Sequence, residues 1–239
     1  MYDEGYFHGK GFDAGVNYVE GLKHKKAWEN IQIDRIKTIE KYVNKGKLLD
    51  IGCGFGELLD KAKTCGWKSH GVELSEYSAK MARKNIGIKV FNGTLDDAKF
   101  PSGEFDAITM IEVIEHLEDP LSTLKECRRV LRKGGIIVMQ TGNIDGLYAR
   151  LKGKNWPYFL LGHLTYFSKR TLSMMLKKTG FTIEHIYNGD EISLNAISRM
   201  FWYGKDKAKF INYILYAKLC YIFIIRKCGA GGMTIYARK

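Results

Sequence analysis

Short apolar runs alternate along the chain with longer stretches in which apolar residues recur every three or four positions. The runs are "KLLDIG" (47–52), "KSHGVEL" (68–74), "IKVFNG" (88–93), "FDAITMI" (105–111) and "GIIVMQT" (135–141), each bounded by turn residues. Runs of this length and composition read as strands. Between them, "ELLDKAKTCG" and "SEYSAKMARKN" carry the helical period. Such alternation predicts parallel β-α units, and so an α/β protein with a doubly wound sheet.

The flanks extend the pattern. "HKKAWENIQIDRIKTIEKYV" (24–43) sets Trp28, Ile31, Ile36, Ile39 and Val43 near helical spacing and predicts one amphipathic helix ahead of the sheet. Asp119-Pro120 fits an N-cap followed by proline at the first helical position, opening a helix over 120–135 that Gly134-Gly135 would close. The stretch 143–167, "NIDGLYARLKGKNWPYFLLGHLTYF", has no clean period and is rich in aromatics, as expected of a segment that shapes a site. Ser168 should cap a helix over 169–180, and "FTIEHIY" (181–187) and "MTIYARK" (233–239) supply the last two strands.

The glycine-rich turn "LLDIGCGFGEL" brings in chemistry. Asp50 ends a strand, and Gly52, Gly54 and Gly56 follow at spacing two before a helix. Glycines let the backbone turn sharply and approach a ligand at the helix N-terminus. A dinucleotide turn spaces its last two glycines by three and serves a pyrophosphate, whereas Asp50 beside this turn suits a cationic group. Glu73, ending the second strand, stands where a carboxylate can accept both hydroxyls of a ribose. A ribose plus a cationic amine describes S-adenosylmethionine.

From Lys47 to Phe181 the chain resembles a class I S-adenosylmethionine-dependent methyltransferase. The branch is that of ubiquinone-biosynthesis O-methyltransferases and small bacterial sugar O-methyltransferases. "LLDIGCGFGELL", "GVELS", "GEFDAITMIEVIEHLEDP" and "ECRRVLRKGGIIVMQT" match that family's blocks in order and spacing. The resemblance implies a mostly parallel seven-stranded sheet with the last strand antiparallel, in a single domain over 1–239. Within it, 1–45 form an arm and helix acting as a lid, 46–188 the cofactor-binding core, 189–230 a helical insertion and 231–239 the last strand. It also implies that Asp50, Gly52, Gly54 and Gly56 line the methionine end of the cofactor and that Glu73, with Leu74 beside it, holds the ribose. Leu95 and Asp96 would lie by the adenine, with Ile111 and the arm's Tyr6 completing the pocket. The family's frequent acidic residue at the position of Thr94 is missing here.

"IEVIEHLEDP" raises a second question. A helical turn there would bring Glu112, Glu115 and His116 to one side. In part of the resembling family Glu-x-x-Glu-His binds a divalent metal with a downstream histidine, and His163 stands in the matching place. Glu112, Glu115, His116 and His163 are thus the expected ligands of manganese or magnesium ahead of zinc. A metal on the substrate oxygen lowers its pKa and fixes its angle of attack. The alternatives are a metal-free site with His116 as general base and a packing role for His163.

Charge and composition bear on partners. The net charge is +12, and the residues from 199 onward hold nine Lys/Arg against one Asp. An anionic small molecule fits this asymmetry, and the reading adopted is O-methylation of a sugar or sugar-nucleotide hydroxyl. The alternatives are a quinone or phenolic precursor as substrate and, in another class, a non-catalytic cofactor-binding partner protein. No nucleic-acid partner is expected. The apolar stretch within 205–228 suits a buried or homodimer contact or a membrane surface, and is too short and broken for a confident span. Five cysteines without metal-site or redox-motif spacing, and an N-terminus unlike a secretory signal, point to the cytoplasm, with membrane-peripheral contact allowed.

Overall fold

The computed structural model describes residues 25–188 and 232–239. The arm with Tyr6, the insertion and its apolar stretch lie outside the described residues. Helix α1 (Lys25–Ile39) leads into strand β1 (Lys47–Ile51), then α2 (Glu57–Thr64), β2 (Lys68–Glu73), α3 (Glu76–Ile86) and β3 (Lys89–Asn92). Strand β4 (Phe105–Ile111) runs into a short 3-10 turn (Ile114–His116), followed by α4 (Pro120–Val130) and β5 (Leu131–Gly142). After α5 (Leu147–Lys152) and α6 (Lys169–Lys178) come β6 (Thr182–Asn188) and β7 (Gly232–Arg238).

All seven strands form one sheet in the order β3-β2-β1-β4-β5-β7-β6. The pairs within β3 to β5 are parallel, and β7 runs antiparallel to both β5 and β6, as the sequence implied. Strand β1 has β2 on one side and β4 on the other, so strand order reverses there. At such a switch point the crevice beyond the carboxyl ends of the strands is the natural ligand site. Asp50, Glu73 and the segment after Ile111 all open onto it.

The core lies on both faces of the sheet. On one, Leu49, Ile108, Met110, Ile137 and Met139 pack with Leu124, Leu172 and Leu176; on the other, Leu48, Val138 and Tyr236 pack with Ile36, Ile39, Leu59 and Ala79. Parallel strands covered on both faces explain why these runs are continuously apolar rather than alternating. Burying Ile36 and Ile39, each fully enclosed, contributes about 2 kcal/mol per side chain. That burial pins α1 against the sheet.

Two expected helix ends differ. Helix α1 stops at Ile39, so Val43, though buried, packs from the following turn. Helix α4 stops at Val130, and Gly134-Gly135 lie inside β5 instead of closing the helix. Leu131 is fully buried opposite Phe105, and the register then jumps so that Ala107 faces Ile136. Gly134, at φ 78°, gives the bulge its left-handed residue, and Gly134 and Gly135 both bond to Lys239. A buried leucine on the sheet outweighed the helical continuation. Asp119 and Ser168 cap as expected, accepting from Ser122 N and Thr171 N.

Candidate active site

The glycine turn sits between β1 and α2, with Gly52, Gly54 and Gly56 all at positive φ. Two are required by packing: a Cβ on Gly52 would lie 2.4 Å from a Val113 methyl, and one on Gly56 would lie 2.5 Å from the end of Ile86. Gly54 differs. Among the described residues nothing stands within 4 Å of where its Cβ would be, so these residues leave its face of the turn open.

Glu73 is held against this turn. Its Oε2 accepts from Gly54 N and its Oε1 from Ser75 N, both at 2.8 Å. Burial pushes its carboxyl up while these N–H groups pull it down. Asp50, at the end of β1, is buried and raised to about 7, because desolvation exceeds the opposing hydrogen bond from Thr109 and the charge of Arg35. The Thr109 hydroxyl donates to Asp50 Oδ1 at 2.6 Å. Cys53 is buried in the core and its thiol pushed well up by burial, so it is no nucleophile.

The remaining cofactor candidates divide. Leu95 is buried in the core beneath the turn after β3, whereas Asp96 is exposed and Leu74 more than half exposed. Ile111 is half-buried at the carboxyl end of β4. Thr94, in place of the family's acid, donates its hydroxyl to Asp97 at 2.6 Å.

The structure brings three of the four expected metal ligands together. Glu115, His116 and His163 offer ligand atoms that all lie within 4.8 Å of one another. The backbone explains how: Leu164 N and Thr165 N both donate to Glu115 O, at 2.8 and 3.1 Å, and fasten the 160s loop to the 3-10 turn. His116 Nδ1 lies 2.9 Å from Gly162 O. A carbonyl can only accept, so Nδ1 carries a proton, which leaves Nε2 as the ring's ligand atom. Both carboxylate oxygens of Glu115 are shielded from solvent without a well-formed hydrogen bond. Its carboxyl is pushed well above the usual carboxylate range, first by burial and then by the neighbouring charge of Glu112.

Glu112 adjoins this trio, its carboxyl neighbouring that of Glu115, but lies outside the set within 4.8 Å. It adopts φ +54°, a left-handed conformation rare for a side chain of its kind. Its Oε1 accepts from Gln140 Nε2 at 3.0 Å and from the Tyr158 hydroxyl at 3.2 Å. The expected helical turn does not form at Glu112; the 3-10 turn starts at Ile114, and the left-handed kink points Glu112 toward β5.

Gln140 leads to a residue the sequence did not single out. Arg35 on α1, 3% exposed, donates to Gln140 Oε1 at 2.5 Å and to Gln32 Oε1 at 2.7 Å, and its charge acts on Asp50. An arginine inside an amphipathic helix reads as an ordinary polar position. Its signal was its place in the apolar stripe, one residue before Ile36.

Aromatic rings wall the trio. Trp156 stacks on Tyr158 at 5.1 Å and meets Phe159 edge-on at 5.2 Å; Tyr158 and Tyr166 lie 5.9 and 6.2 Å from His163. Gly142 makes room for Tyr158, since a Cβ there would sit 2.5 Å from its ring.

A seven-stranded sheet of this order, with a glycine turn and two acids at its switch point, defines a class I methyltransferase frame. Residues 26–186 match the family model of a methyltransferase domain. A ubiquinone biosynthesis O-methyltransferase of Thiobacillus denitrificans is 35% identical over 183 residues, covering 71% of this chain and 76% of the relative. The protein of that description from Aromatoleum aromaticum is 27% identical over 185 residues, with 72% and 77% covered. A solved SAM-dependent methyltransferase from Archaeoglobus fulgidus superposes with a TM-score of 0.65 at 22% identity, over 93% of this chain and 99% of that one. The chain belongs to the class I S-adenosylmethionine-dependent methyltransferases. Among the described residues, no helix is long and apolar enough to cross a membrane.

Proposed function

We propose that the chain transfers the methyl group of S-adenosylmethionine to a phenolic hydroxyl of a quinone-type precursor, with a divalent ion assisting. The observation that carries this reading is the convergence of Glu115, His116 and His163 beside an aromatic wall at the sheet's switch point. The sequence favoured a sugar hydroxyl. The basic stretch behind that preference lies mostly outside the described residues, while the names of the relatives and the ring of Trp156, Tyr158 and Tyr166 support an aromatic substrate.

The cofactor's polar groups fit the residues present. Glu73, fixed by two N–H groups, accepts the ribose hydroxyls with its remaining lone pairs. Asp50 faces the methionine ammonium, and Arg35, a buried cation whose charge acts on Asp50, lies on the side of the carboxylate. Gly54 leaves the space through which the cofactor's backbone-facing edge approaches. Leu74 and Asp96 flank the adenine, whereas Leu95 supports that wall from within the core.

The donor set also fits a divalent cation. Two buried carboxylate oxygens of Glu115, which Thr141 approaches but which have no well-formed hydrogen bond among the described residues, and the imidazole nitrogens of His116 and His163 make a mixed oxygen and nitrogen set that suits manganese or magnesium. Such an ion, when bound, lowers the pKa of a coordinated hydroxyl. Glu112, Gln140 and Tyr158 hold the adjoining wall, and the aromatic cluster excludes water and orients the substrate ring. The substrate oxygen must approach the methyl carbon opposite the sulfur. The hydroxyl proton passes to solvent as the O–C bond forms, and the C–S bond breaks with its electron pair going to sulfur, leaving S-adenosylhomocysteine.

Mass spectrometry of product from the protein, S-adenosylmethionine and manganese tests the substrate class. A catechol bearing a polyprenyl-like tail should gain one methyl ether, and uridine-diphosphate sugars should not. Methylation of the sugar nucleotides alone would return the reading to the sugar hydroxyl.

A further inference from the structure

At the opposite end of the sheet a cavity of about 470 Å³ is lined by Ser102, Lys125, Arg128, Arg129, Thr179 and Lys239. It lies at the amino ends of β4 and β5, where Phe105 and Leu131 begin their strands. Strand β4 has seven residues, so the cavity is roughly 20 Å from the methyl-transfer site at about 3.3 Å per residue. None of its lining residues belongs to that site, although Asp96 beside the adenine acts by charge on Arg129.

Four cations gather around this space. Helix α4 supplies three from its last turns, and the end of β7 brings Lys239 against them. Arg129 is neutralised locally, since Glu126 takes two of its N–H groups at 2.7 and 2.6 Å, and Asp96 adds a more distant negative charge. Lys125, Arg128 and Lys239 have no carboxylate within 4 Å among the described residues. The contrast with neighbouring cations is informative. Around the same end of the sheet Lys47, Arg132 and Arg238 each pair with an acid: Glu104, Asp106 and Glu184.

Part of the arrangement serves the fold. Cations near helix C-termini satisfy carbonyls and favour the helix dipole. Arg128 Nε donates to Gly180 O at 3.2 Å, Arg129 Nη2 to Phe100 O at 2.6 Å, and Lys239 Nζ to Leu131 O at 2.6 Å. These bonds fix the side chains: Arg129 is almost fully committed, Lys239 Nζ also reaches Arg129 O at 3.5 Å, and Arg128 keeps its terminal N–H groups for the cavity. Lys125 makes no such bond, and it stands three residues before Arg128 on one helix face, where like charges repel. Lys239 registers the crowding: burial, then the charges of Arg128 and Arg129, hold its ammonium below the usual lysine range. Ser102 Oγ accepts from Arg129 Nη1 at 2.9 Å, so its own proton is available to a ligand oxygen. Like charges kept together around a concave space, with their geometry fixed, are the arrangement that an anion stabilises.

We propose that this cavity is a second ligand site, separate from methyl transfer, which binds a small phosphate- or diphosphate-bearing molecule through Lys125, Arg128, Lys239 and the Ser102 hydroxyl. Guanidinium and ammonium donors around a pocket match the tetrahedral oxygens of phosphate. The cavity is an open cleft and not an enclosed one, so a soluble small anion can enter it directly. Its volume exceeds that of a lone phosphate.

Titration calorimetry with inorganic pyrophosphate, at low and at physiological salt, tests the proposal on the whole chain. Saturable binding is expected, weakened about tenfold in Lys125→Gln and about tenfold again when Arg128→Gln is added, the usual scale for loss of a charge-assisted hydrogen bond. Lys125 is exposed, so its variant folds, and S-adenosylmethionine affinity, unchanged in both variants, serves as the control for folding. Absence of saturable pyrophosphate binding would overturn the proposal, as would equal binding by the parent and the double variant. Phosphatidylglycerol vesicles provide the other arm. Vesicle binding lost in the double variant, without any pyrophosphate binding, would replace the small-molecule site by a membrane face.

Discussion

The imidazoles of His116 and His163 meet edge to face, with ring centroids 4.6 Å apart and planes at 82°. One follows β4 and the other closes the aromatic segment after β5. Two backbone N–H groups on Glu115 O hold the segments together. The pair is therefore placed by main-chain bonding as well as by its own side chains.

Asp50 predicts a pH dependence. Its carboxyl ionises near 3.8 ordinarily and near 7 in the folded protein. The native state therefore holds a proton that the unfolded chain releases, and stability falls as pH rises from about 4 to about 7, then levels off. A cationic ligand favours the ionised form, so S-adenosylmethionine should bind more tightly with rising pH, by up to about tenfold per unit below 7, and reach a plateau above. Calorimetry from pH 5.5 to 8.5 checks this, with Asp50→Asn expected to flatten the profile. A flat profile in the parent would contradict the assignment.

The three glycines predict a division between stability and binding. Gly52→Ala and Gly56→Ala combine a left-handed backbone with a clash, and each should cost about 1–3 kcal/mol in denaturant unfolding. Gly54→Ala carries only the backbone strain, about 1 kcal/mol. Its methyl enters the open face, so it should lose cofactor affinity out of proportion to its stability. Equal behaviour of all three would mean that the open face is not the cofactor's.

Strands, caps and the glycine turn were legible because each depends on residues close in sequence: β1 to β4 fell within the apolar runs, and Asp119 and Ser168 cap where their positions indicated. What the sequence hid depends on distant partners. The start of β5 is set by Leu131 packing opposite Phe105, which no local signal at Gly134-Gly135 reports. Glu112 looked equivalent to Glu115 under helical spacing, and only the left-handed kink beside Gln140 separates them. Arg35 carried only the faint signal of a charge in the apolar stripe, because its partners, Gln140 and Asp50, lie on strands far along the chain.

Arg35 should matter to cofactor binding. Arg35→Met keeps the helix and much of the packing but removes the buried cation. The expected outcome is S-adenosylmethionine affinity weakened at least about tenfold, with the pH midpoint of binding moved upward because Asp50 loses a favourable charge. Unchanged affinity and midpoint in fluorescence titrations across pH would remove Arg35 from the site.

Glu112 lies beside Glu115 but outside the set of ligand atoms within 4.8 Å, and this makes a prediction. Glu112→Gln keeps a side-chain carbonyl for Gln140 and Tyr158, so manganese affinity should stay within about threefold. His163→Ala removes a ligand and should weaken it by on the order of 100-fold. Electron paramagnetic resonance of free manganese reads both. A Glu112 loss as large as that of His163 would restore the four-ligand set.

The central claim is that Glu115, His116 and His163 hold a divalent ion that assists methyl transfer. Its most direct test is turnover of a phenolic substrate by protein stripped with a strong chelator, measured before and after manganese is returned, with cofactor affinity followed in parallel. Stripped protein should bind S-adenosylmethionine within about twofold of the untreated sample, lose its methyl transfer, and regain it with one manganese per chain. Full turnover by the stripped protein, with no ion found by elemental analysis, would contradict the claim and leave His116 Nε2 as the base.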